Sequence, residues 1–117
     1  RLVLGDLHAK IDWGAAQDYV EAMRLILNLE KPGEFIVASG ELHSISEFVD
    51  VAFDAVGLDP TKYIQIDDSL ITKSRQLRPL VGDTSKLERL TGWKRQYSFE
   101  NIILSMVEQE QAGGLGL

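Results

Sequence analysis

Apolar and polar positions follow two periods along this chain, and the places where the period changes mark its elements. Leu2-Val3-Leu4 is a short apolar run that reads as a strand over 1–4, and it gives way to a polar stretch, GDLHAKIDWG, over 5–14. From 15 to about 29, Ala16, Val20, Met23 and Leu27 recur at helical spacing, predicting a helix with these residues as its apolar stripe. Asn28 and then Pro32-Gly33 end it. The run Phe35-Ile36-Val37-Ala38, bounded by Gly33 and Gly40, predicts a buried strand. Ser44 and Glu47 have the spacing of a capping box, in which the serine accepts from an early helix N–H and the glutamate reaches back. Ile45, Phe48, Val49, Ala52, Phe53 and Val56 then form an apolar stripe, and Gly57 is a natural stop.

Beyond a turn at Pro60, the weak alternation of Tyr63-Ile64-Gln65-Ile66 predicts a further strand. Residues 67–81 show little periodicity and bring Lys73, Arg75 and Arg78 close together, as a loop or sheet edge that contacts ligands would. A short helix is expected over 84–90, stopped by Thr91-Gly92 ahead of Trp93. Ser98 caps a last helix with Phe99, Ile102, Ile103, Met106 and Val107 on its apolar face. The order is β-α-β-α-(β)-α-α, an α/β arrangement of a small sheet with about four helices. It is expected to form one domain over 1–112, followed by a flexible tail over 113–117.

Charge narrows the function classes. Twelve basic against eighteen acidic residues give −6, which argues against nucleic acid or an anionic membrane as a partner. There is no cysteine, so disulfides, thiol catalysis and cysteine-based zinc sites are excluded. No apolar stretch approaches the ~18–20 residues of a membrane span. The start lacks the plan of a signal peptide, so a cytoplasmic setting is expected.

The candidate chemistry is sparse. His8 and His43 lack metal-ligand spacing, and His43 reads as the residue before a helix cap, so no metal site is expected. Asp50 and Asp54 lie four apart on a helix, and a solvated face explains them better than acid–base work. The glycines of GGLGL open no helix and build no dinucleotide cradle. Tyr19, Tyr63 and Tyr97 are followed four residues on by Met23, Asp67 and Asn101, so the tyrosine–lysine pair of short-chain dehydrogenases is not here. Lys73, Arg75 and Arg78 form the best anion-binding cluster, although solvated loop charge also explains them. If Lys10 meets them in space, a diphosphate would be clamped from two sides.

Three blocks, LGDLHAKIDWGAAQDYVEAM, FIVASGELHSISEFVDVAF and LVGDTSKLERLTGWKRQYSFENIILSMVEQE, resemble in order the C-terminal part of the GDP-mannose 4,6-dehydratase family. These are extended short-chain dehydrogenases that use NADP to convert GDP-mannose to its 4-keto-6-deoxy sugar. The resemblance covers roughly 2–110. It implies that the chain is the last third of a larger enzyme and forms the nucleotide-sugar-binding portion of that fold. The Rossmann core would then lie on a missing N-terminal domain with NADP and the catalytic Thr, Glu, Tyr and Lys. That accounts together for the missing glycine fingerprint, the missing tyrosine–lysine pair and the start on Arg1. No cofactor would be bound by this chain alone, and none of its residues would be catalytic.

The family's opening loop usually reads Gly-Asn-Leu-Asp-Ala-Lys-Arg-Asp-Trp-Gly. Gly5, Leu7, Ala9, Lys10, Asp12, Trp13 and Gly14 match it, whereas Asp6, His8 and Ile11 do not. The resemblance implies substrate contacts from Leu4, Gly5 and Lys10, with Asp12 and Trp13 anchoring the loop to the following helix. An arginine would approach phosphate where Ile11 stands, and its loss removes a charge-assisted contact of about 1.5–3 kcal/mol. The family's Arg-Pro-Thr-Glu motif falls on Lys73-Ser74-Arg75-Gln76 without a gap, or on Arg78-Pro79 with a deletion, and both registers stand.

Two functions follow. One is the nucleotide-sugar-binding portion of a dehydratase, taking a GDP-mannose-class ligand. The other is a stand-alone truncated domain that acts as a binding or oligomerising module, with an apolar face left open to a second copy.

Overall fold

The computed structural model describes residues 1–71 and 78–113. The first strand, β1 (Leu2–Leu4), pairs in parallel with a distant one, β4 (Ile64–Ile66), with Leu2 opposite Ile64 and Leu4 opposite Ile66. The polar stretch contains a second short strand, β2 (Lys10–Asp12), antiparallel to β3 (Leu42–Ser44), with Lys10 opposite Ser44 and Ile11 opposite His43. Sheet is thus confined, among the described residues, to two short pairs. The described residues also form four α-helices: α1 (Ala16–Leu27), α2 (Ile45–Ala55), α3 (Ser85–Thr91) and α4 (Phe99–Gly113). The last runs one residue into the segment expected as a tail, whose remainder, 114–117, lies outside the described residues. Among those residues no helix is long and apolar enough to cross a membrane.

Local signals place the helix ends. Ser44 Oγ accepts from Glu47 N at 3.1 Å while Glu47 Oε1 accepts from Ser44 N at 3.2 Å, the reciprocal pair of a capping box. Ser98 Oγ accepts from Asn101 N at 3.1 Å at the start of α4. Gly92 takes φ +74° to end α3, a conformation a side chain resists.

One packing centre gathers Ala22 of α1, Leu87 of α3 and Trp93, with Leu25, Ile26, Phe35 and Val37 packed around them. The other lies between α2 and α4, where Trp13 packs tilted on Phe48, Phe48 meets Phe99 edge-on and His43 stacks on Phe99, with centroids 3.9–6.2 Å apart. The helix α1 faces the core differently from the expected stripe. Val20, Met23 and Leu27 are 62%, 58% and 84% exposed, whereas Asp18 and Ala22 are buried. The helix carries two apolar stripes, and the small Ala22 lets Leu87 and Trp93 approach, so that stripe wins.

The strand expected over 35–38 does not form. Phe35 and Val37 pack inward and Ile36 points outward, as in a strand, yet no backbone partner lines up beside them among the described residues. A strand exists only through its neighbour, so the residue pattern is present and the ladder is not. The radius of gyration is 17.2 Å, against roughly 13 Å for a compact domain of this length. The body is elongated, with extents of 53 × 38 × 23 Å, and the Val20, Met23 and Leu27 stripe of α1 is exposed.

Candidate functional site

The stretch GDLHAKIDWG wraps the start of α2. Ala9 O accepts from Ile45 N at 3.1 Å and Leu7 O from Ser46 N at 2.9 Å, while Ser44 takes Glu47 N. The leading N–H groups of α2 are therefore used inside the chain, and this helix end offers nothing to a phosphate. Asp6 Oδ1 accepts from His8 N at 2.8 Å, tightening the turn that follows β1.

Leu4 and Gly5 sit at the carboxyl end of β1, where Leu4 O accepts from Asp67 N at 2.8 Å. They line a hollow of about 270 Å³ with Val3, Asp6, Leu70 and Ile71. A Cβ on Gly5 would come within 3.2 Å of Leu70 Cβ, so glycine keeps that wall close. The carboxyl ends of parallel strands are where open α/β sheets receive ligands.

Lys10 is exposed on β2 and makes no ion pair among the described residues. It does not line the hollow, and neither does Arg78, which is exposed. Lys73 and Arg75 lie outside the described residues. The structure thus joins Leu4 and Gly5 in one place and sets Lys10 and Arg78 apart from it.

Asp12 does not anchor the loop to α1. Its Oδ1 accepts from Ser39 N at 2.7 Å, and its Oδ2 from Gly40 N and Gly82 N, each at 3.1 Å. Partial burial pushes this carboxyl upward, but the hydrogen bonds from Ser39, Gly82 and Gly40 outweigh it and hold it below the ordinary carboxylate range. Trp13 likewise turns to the β3–α2 side, donating from Nε1 to His43 O at 3.3 Å and packing on Phe48.

A second cluster had only half a signature in the sequence. His43 Nδ1 lies 2.7 Å from Glu47 Oε2 and Nε2 lies 3.3 Å from Glu41 Oε2, while Arg95 holds Glu41 at 2.6 Å. The imidazole stacks on Phe99 at 3.9 Å. Glu41, His43 and Glu47 are close in sequence, whereas Arg95 gave no local hint. Among the described residues no group of three or more metal-ligating side chains converges.

Glu47, with help from Glu41, raises the His43 pKa above its ordinary 6.5 despite partial burial. Arg95 and then His43 lower Glu41, and His43 and then the Ser44 N–H lower Glu47, both from 4.5. The histidine's contribution is whole below about 6.5 and is lost as pH rises through its raised value. The glutamates' contribution is whole above about 4.5 and is lost as pH falls through their lowered values. The cluster therefore stabilises most between those limits. Thermal midpoints should fall for the chain from about pH 6.5 to 8, and less steeply for His43→Gln. Equal slopes would remove His43 from this role.

Gly14 leads into α1, and the Tyr19 ring occupies the space that a Cβ at Gly14 would need. A hollow of about 450 Å³ between α2 and α4 is walled mainly by apolar side chains such as Phe53, Val56 and Met106, with Glu110 and Gln111 also lining it.

The fold matches solved enzymes of one kind. The RMD protein of Pseudomonas aeruginosa, solved with NADPH, superposes with a TM-score of 0.81 at 21% identity, over 97% of this chain and 36% of that one. UDP-glucose 4-epimerase of Thermotoga maritima, solved with UDP-glucose, gives 0.83 at 19%, over 97% and 35%. The architecture is that of part of an extended short-chain dehydrogenase of the epimerase and dehydratase type. The family profile described as GDP-mannose 4,6 dehydratase matches residues 1–106, and the chain belongs to that family. GDP-mannose 4,6 dehydratase 2 of Arabidopsis thaliana is 43% identical over 110 residues, 94% of this chain and 29% of the relative. The chain spans about a third of the length of the curated relatives it matches.

Proposed function

We propose that this chain is the C-terminal, nucleotide-sugar-binding portion of a GDP-mannose 4,6-dehydratase, taking a GDP-mannose-class ligand and leaving catalysis and NADP to an N-terminal portion. The observation that carries it is the opening loop. It keeps the family residues Gly5, Lys10, Asp12, Trp13 and Gly14, and it starts from the open carboxyl end of β1, beside the hollow lined by Leu4 and Gly5. Leu4 and Gly5 offer backbone and a close wall, and Lys10 offers a charge that makes no ion pair among the described residues. Arg78 is the described cation of the second group, with Lys73 and Arg75 completing the proposal. The outward stripe of Val20, Met23 and Leu27 suits burial against the rest of such an enzyme.

Titration calorimetry with GDP-mannose tests this reading. Lys10→Ala should weaken binding about tenfold, the lower end of a charge-assisted contact. Millimolar-or-weaker binding that Lys10→Ala leaves unchanged would remove Lys10 from the site.

The same stripe favours a second reading, a stand-alone module that associates through it. Light scattering separates the two. A defined oligomer without nucleotide binding supports the module, and a clean monomer that binds no apolar dye excludes it.

A further inference from the structure

We propose that Asp12 is a positioning residue, fastening the arm that carries Arg78 to the face of β2 that carries Lys10, and so setting the spacing of two cations offered to a diphosphate. The diphosphate part rests on the nucleotide-sugar reading above, whereas the fastening does not.

Side chains two apart on a strand project to one face, so Lys10 and Asp12 share a side of β2 and Ile11 projects to the other, beside His43. Whatever Asp12 gathers is therefore brought to Lys10's side. It gathers three backbone donors, Ser39 N on Oδ1 and both Gly40 N and Gly82 N on Oδ2. Gly82 is 70 residues away in sequence. Among the described residues its N–H makes the one hydrogen bond that ties 78–82 to the rest of the chain.

The surroundings are built for that approach. A Cβ on Gly82 would overlap Ala38 Cβ and press Ile36 Cγ2 at 3.1 Å, so only glycine lets the arm lie close enough to reach Asp12. Gly40 turns the chain at φ +81° and brings the second donor to the same oxygen. The pairing of Asp12 opposite Leu42 holds the carboxylate's own backbone in place. Gly82 lies four positions after Arg78, at most about 14 Å of chain, so the anchor limits where the guanidinium can go. A carboxylate accepting three N–H groups satisfies otherwise orphaned backbone donors, which neither a water-exposed serine nor an amide would do as fully.

The test is amide hydrogen exchange by NMR on the chain and its Asp12→Asn and Asp12→Ala variants, with and without GDP. Asn turns one acceptor into a donor, and Ala removes both. The Gly40 and Gly82 amides should exchange at least about tenfold faster in the Ala variant, while the β2–β3 amides stay protected. GDP should shift the Lys10 and arm amides together in the unmodified chain. In the variants Lys10 should still respond, the arm should not, and affinity should drop about tenfold.

Unchanged exchange at Gly82 would overturn the proposal. So would loss of the fold, or acceleration across the whole chain, because Asp12 would then be a general stabilising group. If the unmodified chain shows no response to GDP, the nucleotide reading and the diphosphate part fail together, and exchange at Gly82 still decides the fastening.

Discussion

Trp93→Ala is expected to cost about 3–5 kcal/mol, the largest loss of any single substitution in this chain. Trp93 is 3% exposed and packs on Ala22 and Leu87, which are fully covered. Its Nε1 donates to Asp18 O at 2.9 Å, so the indole both fills the core and ties the segment after α3 to α1. A domain of this size has roughly 5–15 kcal/mol in all, so the variant should be largely unfolded at physiological temperature. Circular dichroism melts will show it, with Trp13→Ala as the control. Trp13 is only partly buried and should cost less. Similar midpoints for the two variants would mean that the α1–α3 contact is not the main core.

Asp18→Ala is expected to cost about 3 kcal/mol, although it removes a charge from an acidic chain. Asp18 is 4% exposed, with Oδ1 accepting from Gln96 N at 2.9 Å and Oδ2 from Tyr97 N at 3.1 Å. The alanine would leave two backbone donors facing a methyl group, and the desolvation of unpaired donors is the main loss. Those donors precede Ser98, so α4 should lose its attachment at its start. Urea unfolding should show the loss of midpoint, and exchange should quicken first at Gln96 and Tyr97. A variant as stable as the unmodified chain would show that water replaces the carboxylate freely.

These two residues also show where sequence reading ends. The capping box of α2 was legible because Ser44 and Glu47 lie three residues apart, and Ser98 was legible as the cap of α4. The strand β1 was legible as a short apolar run, and β4 as a weak apolar–polar alternation. Asp18 was not, because its partners lie 78 and 79 residues away and nothing nearby marks it as buried. The face of α1 was misread for the same reason. Val20, Met23 and Leu27 and the stripe through Ala22 and Leu25 are both apolar at helical spacing, and only the shape of Leu87 and Trp93 chooses between them.

The site divides in the same way. The loop and its likeness to the family could be read directly, including the substitution at Ile11. That Asp12 would reach Gly82 rather than α1 could not, because no spacing encodes a contact across 70 residues. The strand expected over 35–38 has the right residues and lacks a neighbour. The exposed stripe of α1 lies on the helix just before it, so both unmet expectations fall on one α1-to-strand unit, as they would if the rest of the enzyme covered it.

A chemical-shift map of the chain titrated with GDP-mannose is the most direct measurement. The prediction is that Leu4, Gly5, Lys10 and the 78–82 arm shift together with one midpoint. No shift at millimolar ligand, or shifts confined to the apolar groove between α2 and α4, would contradict a nucleotide-sugar-binding portion.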